Sequence, residues 1–120
     1  MASIGTIHTT VSSTVTNTTT SFVEVVESSA LVSGTTYYII CQALCEGASS
    51  SQVFQWRLVD RTNSDAVLSN STLKREPATG NVTQSYCFVG KITAGSDGGG
   101  LAFEQASSSD GVDCRTQYLS

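Results

Sequence analysis

The sequence predicts an all-β protein, an antiparallel β-sandwich of jelly-roll type with an extended N-terminal arm. Three observations predict it. Apolar, β-branched and aromatic residues recur in short runs bounded by polar turns, the spacing of a two-layer β fold. No credible helix stands out along the chain, which reads instead as eight or so strands joined by polar turns. Hydroxyl residues dominate, with 19 Ser and 16 Thr in 120 residues against 1 Pro, and Thr favours extended backbone. The chain divides into a Ser/Thr-rich arm over residues 1–20 and one sandwich domain over 21–120. A chain of this length hides roughly 65% of its unfolded surface, enough for a single core.

In the arm, Ile4, Ile7, Val11 and Val15 stand alone among Thr and Ser. They are too sparse to build a core strand and are the candidate anchors for a partner. Phe22, Val23, Val25 and Val26 flank Glu24 and Glu27 and read as the first strand of the body. Leu31-Val32-Ser33-Gly34 is a short element ending in a turn. The strongest strand is 35–45, whose apolar residues have few polar interruptions; this predicts a central strand covered on both faces. After a small polar loop, residues 52–60 alternate, with Phe54, Trp56 and Leu58 on one face. Arg61 to Asp65 is a turn, followed by short strands through Val67-Leu68 and from Leu73 to Glu76, where Pro77 stops the second. Residues 82–93 form the second long strand, with Tyr86, Phe88, Gly90 and Ile92 opposite Cys87, Val89 and Lys91. The Gly-rich stretch 94–100 reads as a hairpin to a strand opening with Leu101 and Phe103. Val112 to Leu119 is the last strand, either short or completed by a neighbouring subunit. An immunoglobulin domain fits less well, because Trp56 follows Cys41 at a distance and no tyrosine corner precedes Cys114.

Charge and apolar run length exclude several classes. Lys and Arg number 6 against 10 Asp and Glu, so no basic patch is expected to bind nucleic acid. No apolar run approaches the ~20 residues of a membrane span. The N-terminus lacks the basic start and apolar stretch of a signal peptide, which points to synthesis in a reducing cytoplasm. Cys41, Cys45, Cys87 and Cys114 are then expected as buried free thiols, with two disulfides as the alternative. Cys41 and Cys45 lie on one face of a strand ~13 Å apart, too far to bridge each other.

A search for catalytic or metal chemistry returns almost nothing. His8 is the only histidine and sits in the arm. Asp60, Asp65, Asp97, Asp110 and Asp113 lie near turns, where aspartate serves the backbone. The spacing of Asp97, Asp110 and Asp113 matches no calcium loop. The glycines at 95–100 precede no helix and no Lys, so they make no phosphate cradle. Sequons at Asn17, Asn70 and Asn81 are expected by chance in so hydroxyl-rich a chain. Trp56 with Tyr37, Tyr38 and Tyr86 reads as core or subunit interface first, and as a sugar-stacking platform second. The reading is a non-enzymatic protein with no cofactor and no metal.

The run Leu31 to Ile40, the segment Tyr86 to Gly95 and the terminal Arg115-Thr116-Gln117-Tyr118-Leu119 together resemble the strand pattern of small β-sandwich structural proteins of tailed-bacteriophage virions. The resemblance covers roughly residues 22–119. It implies a head decoration (cement) protein that binds the major capsid protein on the outer shell as a symmetric oligomer, a trimer being expected. The location implied is the virion surface, after synthesis in the host cytoplasm. The alternative it leaves is a carbohydrate- or receptor-binding module of a tail or fibre. A secreted, disulfide-stabilised adhesion domain is a third reading.

Overall fold

The computed structural model describes residues 15–17, 19–47, 54–75, 82–107 and 114–119. Among these, nine strands run in chain order: β1 Val15–Asn17, β2 Val23–Glu27, β3 Thr36–Gly47, β4 Phe54–Asp60, β5 Ala66–Val67, β6 Leu73–Arg75, β7 Val82–Thr93, β8 Leu101–Ser107 and β9 Cys114–Leu119. They form two antiparallel sheets packed against each other, an all-β arrangement compatible with a β-sandwich. Sheet A has the order β1-β9-β3-β7 and sheet B the order β2-β8-β4-β5, with β6 also paired to β4. The helical content of the described residues is one 3₁₀ turn, Arg61–Asn63.

β3 and β7 form the backbone of sheet A. Their β-branched and aromatic residues crowd a helical turn and fit a pleated surface. The two strands pair over twelve positions, from Thr36↔Thr93 to Gly47↔Val82, with no break in register. At ~3.4 Å per residue each runs ~40 Å, which accounts for most of the 45 Å long dimension of the molecule. Gly34, at φ +81°, makes the left-handed turn that starts β3; its N–H donates to the Ala94 carbonyl, and Ala94 N–H donates to Thr35.

The core lies between the sheets. β3 contributes Ile39, Cys41, Ala43 and Cys45, β4 contributes Phe54, Trp56 and Leu58, and Tyr86 of β7 meets Phe103 of β8 edge to face at 4.9 Å. The Tyr86 hydroxyl donates to the Ser71 carbonyl, and Ser71 Oγ accepts from Leu58 N–H at 3.2 Å. That contact fastens the Leu68–Thr72 segment, which separates β5 from β6 along one side of β4.

Two sequence expectations fail here. β3 is covered on one face only. Its odd positions from Ile39 to Cys45 are buried, while Tyr38 and Ile40 are 77% and 69% exposed. The period-2 alternation was present, but apolar residues occupied both faces and masked it. The Gly-rich segment 94–100 is not a hairpin, because β7 lies in sheet A and β8 in sheet B. It crosses between the layers and is held there by Leu31 N–H donating to the Gly99 carbonyl and Arg61 N–H to Gly100. Turn chemistry says where a chain reverses, not which sheet receives it. The last strand, β9, lies between β1 and β3 and pairs with both.

Candidate functional site

Of the expected arm anchors, Ile4, Ile7 and Val11 lie outside the described residues, as do His8, Asp110 and Asp113. Val15 opens β1 and pairs with Thr116. The root of the arm is therefore a strand of sheet A, and it is tied to sheet B as well. The buried Asn17 amide donates to the carbonyls of Ser21 at 3.0 Å and Gln105 at 2.9 Å. Its Oδ1 accepts from Thr19 N–H at 2.9 Å and Thr19 Oγ1 at 2.7 Å. Gln105 Nε2 donates to the Val15 carbonyl at 3.1 Å, and Ser107 N–H to Thr19 at 3.0 Å. All the polar capacity of the Asn17 side chain is used, as burial demands. The sequon at Asn17 is thereby closed to modification in the folded chain. Asn17→Ala removes these four side-chain hydrogen bonds from a buried position and is expected to cost about 1–3 kcal/mol. Urea unfolding measures this, and hydrogen exchange over residues 15–21 is expected to quicken more than exchange in β3.

The two outer faces differ in character. On sheet B, Glu24, Glu104 and Arg57 stand in one cross-strand row. The largely buried Glu104 carboxylate accepts from Arg57 Nε at 2.8 Å and Arg61 Nη2 at 2.9 Å. Arg61 also reaches Glu24 at 3.3 Å, Glu27 at 3.5 Å and Asp65 at 3.2 Å. The Arg57 guanidinium lies 3.6 Å from the centre of the Phe22 ring. Burial works against the Arg61 charge, yet its hydrogen bonds to Glu104, Asp65 and Glu24 hold its pKa above the ordinary arginine value. This is a closed ionic lattice, with the charges of each sign directed at one another.

The part of sheet A's outer face formed by residues 38–42 and 87–91 carries one charge, Lys91. Tyr38, Ile40 and Gln42 of β3 stand opposite Lys91, Val89 and Cys87 of β7. Val89 is 71% exposed, so Tyr38, Ile40 and Val89 make a contiguous apolar patch. Sequence reasoning read Tyr38 and Ile40 as covered; Gln42 at the next even position was the signal that this face meets water.

The described carboxylates serve structure. Asp60 is buried and accepts from Thr62 N–H at 2.9 Å, Thr62 Oγ1 at 2.5 Å and Asn63 Nδ2 at 2.6 Å. Asp97 accepts from Ser64 N–H and Oγ, steadying the consecutive left-handed residues Ser64 and Asp65. Among the described residues no group of three His, Cys, Asp or Glu converges to hold a metal ion. Trp56 is fully buried, which removes it from any surface platform. Cys41 is a buried free thiol, pushed up to about 12 first by burial and then by neighbouring Cys87. Cys87 departs from expectation: it is a free thiol on the exposed face. No helix of the described residues is long and apolar enough to cross a membrane.

Compared with protein-family models, with curated proteins and with solved structures, the chain matches none.

Proposed function

We propose that this chain is a structural virion protein: a decoration protein of a tailed-phage head that binds the major capsid protein and stabilises the shell without catalysis. The observation that carries the reading is the arm root. Asn17 locks the last residues of the arm into both layers, so tension on residues 1–14 is transmitted to a rigid body rather than to a fraying terminus. An extended segment can add a strand to a neighbouring sheet, with Ile4, Ile7, Val11 and Val15 as shallow anchors. The exposed apolar patch of Tyr38, Ile40 and Val89 on sheet A supports the same reading, since apolar surface costs little to desolvate when it docks. The strand order β1-β9-β3-β7 facing β2-β8-β4-β5 supports describing the sandwich as a jelly roll, an architecture common to virion shells and lectins.

In this reading the protein self-associates as a symmetric oligomer on the capsid surface, with no role for nucleic acid, membrane or cofactor. Removal of residues 1–14 leaves β1 intact and is expected to reduce occupancy on purified phage heads at least tenfold, with an unchanged thermal unfolding curve. Occupancy is counted by quantitative gel analysis of sedimented heads. If the truncated chain saturates heads as the full chain does, the arm is not the anchor; if the full chain leaves heads bare, the decoration role fails. The alternative, a sugar-binding module of a tail or fibre, needs an exposed aromatic platform. Among the described side chains Tyr38 is the one strongly exposed aromatic, which gives that reading little to stand on.

A further inference from the structure

Among the described residues each sheet has two edges, and β7 differs from the rest. Among the described residues β1 spans three positions and β5 two, short templates for another strand. β2 has five, carries Glu24 and Glu27, and is bulged between Glu24 and Val26. β7 is different. It has twelve residues, no proline, no bulge against β3 and a single charge, Lys91. Among the described residues its one neighbour is β3. Charged residues, brevity and bulges are the usual devices that keep an edge unpaired, and β7 has none beyond that lysine.

We infer that β7 is the self-association edge, pairing antiparallel with β7 of a second copy about a two-fold axis at Cys87. Directly opposite residues of an antiparallel pair share a face, so a two-fold axis must set some residue opposite its own copy. Centring on Cys87 uses nearly the whole strand, from Val82 opposite Ile92 of the second copy to the reverse. Lys91 of the second copy then falls opposite Thr83, and its symmetry mate does the same, so the one charge of each β7 strand stays clear of the other. The ionic lattice lies in sheet B, away from the contact. The apolar row Ile40–Val89 continues across the axis to Ser85 and Leu44 of the second copy, doubling the width of this face.

The inference specifies the self-association proposed above and does not depend on capsid binding. It makes the elementary unit a two-fold pair in place of the trimer expected from the sequence. Sedimentation of the full chain under reducing conditions is expected to give twice the mass of one chain at micromolar concentration. Cys87→Arg sets two guanidinium groups together at the axis while leaving a single copy only an exposed substitution. It is expected to sediment as one chain with an unchanged circular dichroism spectrum. Register is read by diamide, which takes two electrons and two protons from a pair of thiols. The Cys87 Cα atoms would lie ~4.5–5.5 Å apart, within the ~4.4–6.8 Å that a disulfide spans. A covalent pair is expected from the native chain and none from Cys87→Ser. A wild-type chain that sediments as a monomer or trimer, a Cys87→Arg chain that still pairs, or a cross-link that survives Cys87→Ser overturns the inference. Heads that still bind a monomeric wild type would leave the decoration role standing.

Discussion

Trp56→Ala is expected to destabilise the sandwich by about 3–5 kcal/mol, the range for deleting a large aromatic from a packed interior. Trp56 is 0% exposed and lies in the cluster formed by β3, β4, β7 and β8, alongside Phe54, Phe103 and Tyr86. Its pairing register, opposite Leu73 on one side and Gln105 on the other, leaves no route for the neighbouring backbone to collapse into the cavity. Against a typical total of about 5–15 kcal/mol, such a loss brings the chain close to unfolding. Trp56→Phe separates volume from polarity. The indole Nε1 is buried with no hydrogen-bond partner among the described residues, so phenylalanine removes an unsatisfied donor along with part of the ring. The expected order of urea midpoints is wild type, then Phe, then Ala far below. An Ala variant as stable as wild type would place the indole outside the core.

Alkaline pH is expected to weaken the fold through Cys41. Its thiol titrates at about 12 in the folded chain against 9.0 ordinarily, chiefly because burial penalises the thiolate. Above pH 9 the unfolded chain releases a proton that the folded chain keeps. Stability is therefore complete below pH 9 and is lost as pH rises toward 12. At ~1.4 kcal/mol per pH unit the full interval corresponds to about 4 kcal/mol. Tyr86 adds a loss of the same sign, its hydroxyl raised by burial and by the cysteines near it. Urea midpoints measured from pH 8 to pH 11 are expected to fall steeply for wild type and less steeply for Cys41→Ala. Parallel slopes would assign the alkaline loss elsewhere.

The sequence made the fold class legible because its signals are local. Phe54, Trp56 and Leu58 alternate with Gln55 and Arg57, and the structure buries the first set in the core. The length of β3 and β7 was equally plain in their long runs of β-branched and aromatic residues with few charges. What stayed hidden needed two segments at once. Asn17 looked like one more polar residue in a Thr-rich leader; its role depends on the Gln105 carbonyl, 88 positions away. Arg61 read as part of a turn, whereas its partners come from β2, β8 and the residues after the 3₁₀ turn. The exposed patch was missed for another reason. Tyr38, Ile40 and Val89 are apolar, and an apolar residue carries no mark of whether its cover is its own core or another molecule.

The position of β9 has a consequence for how the protein is made. This strand is the last of the nine, yet it lies inside sheet A, between the first strand and the third. Among the described residues β4 pairs locally with β5 and β6; the other pairings join strands far apart in the chain. A ribosome that has released residues through β8 has delivered all of sheet B and three of the four strands of sheet A, with one flank of β3 unpaired and β1 without a neighbour in its sheet. Contacts of such long sequence separation fold on the millisecond-to-second scale rather than in microseconds. The pairing of β1 with β9, one of the two ties of the arm root, can therefore form only after β9 has emerged, whereas its Asn17–Gln105 tie needs only β8.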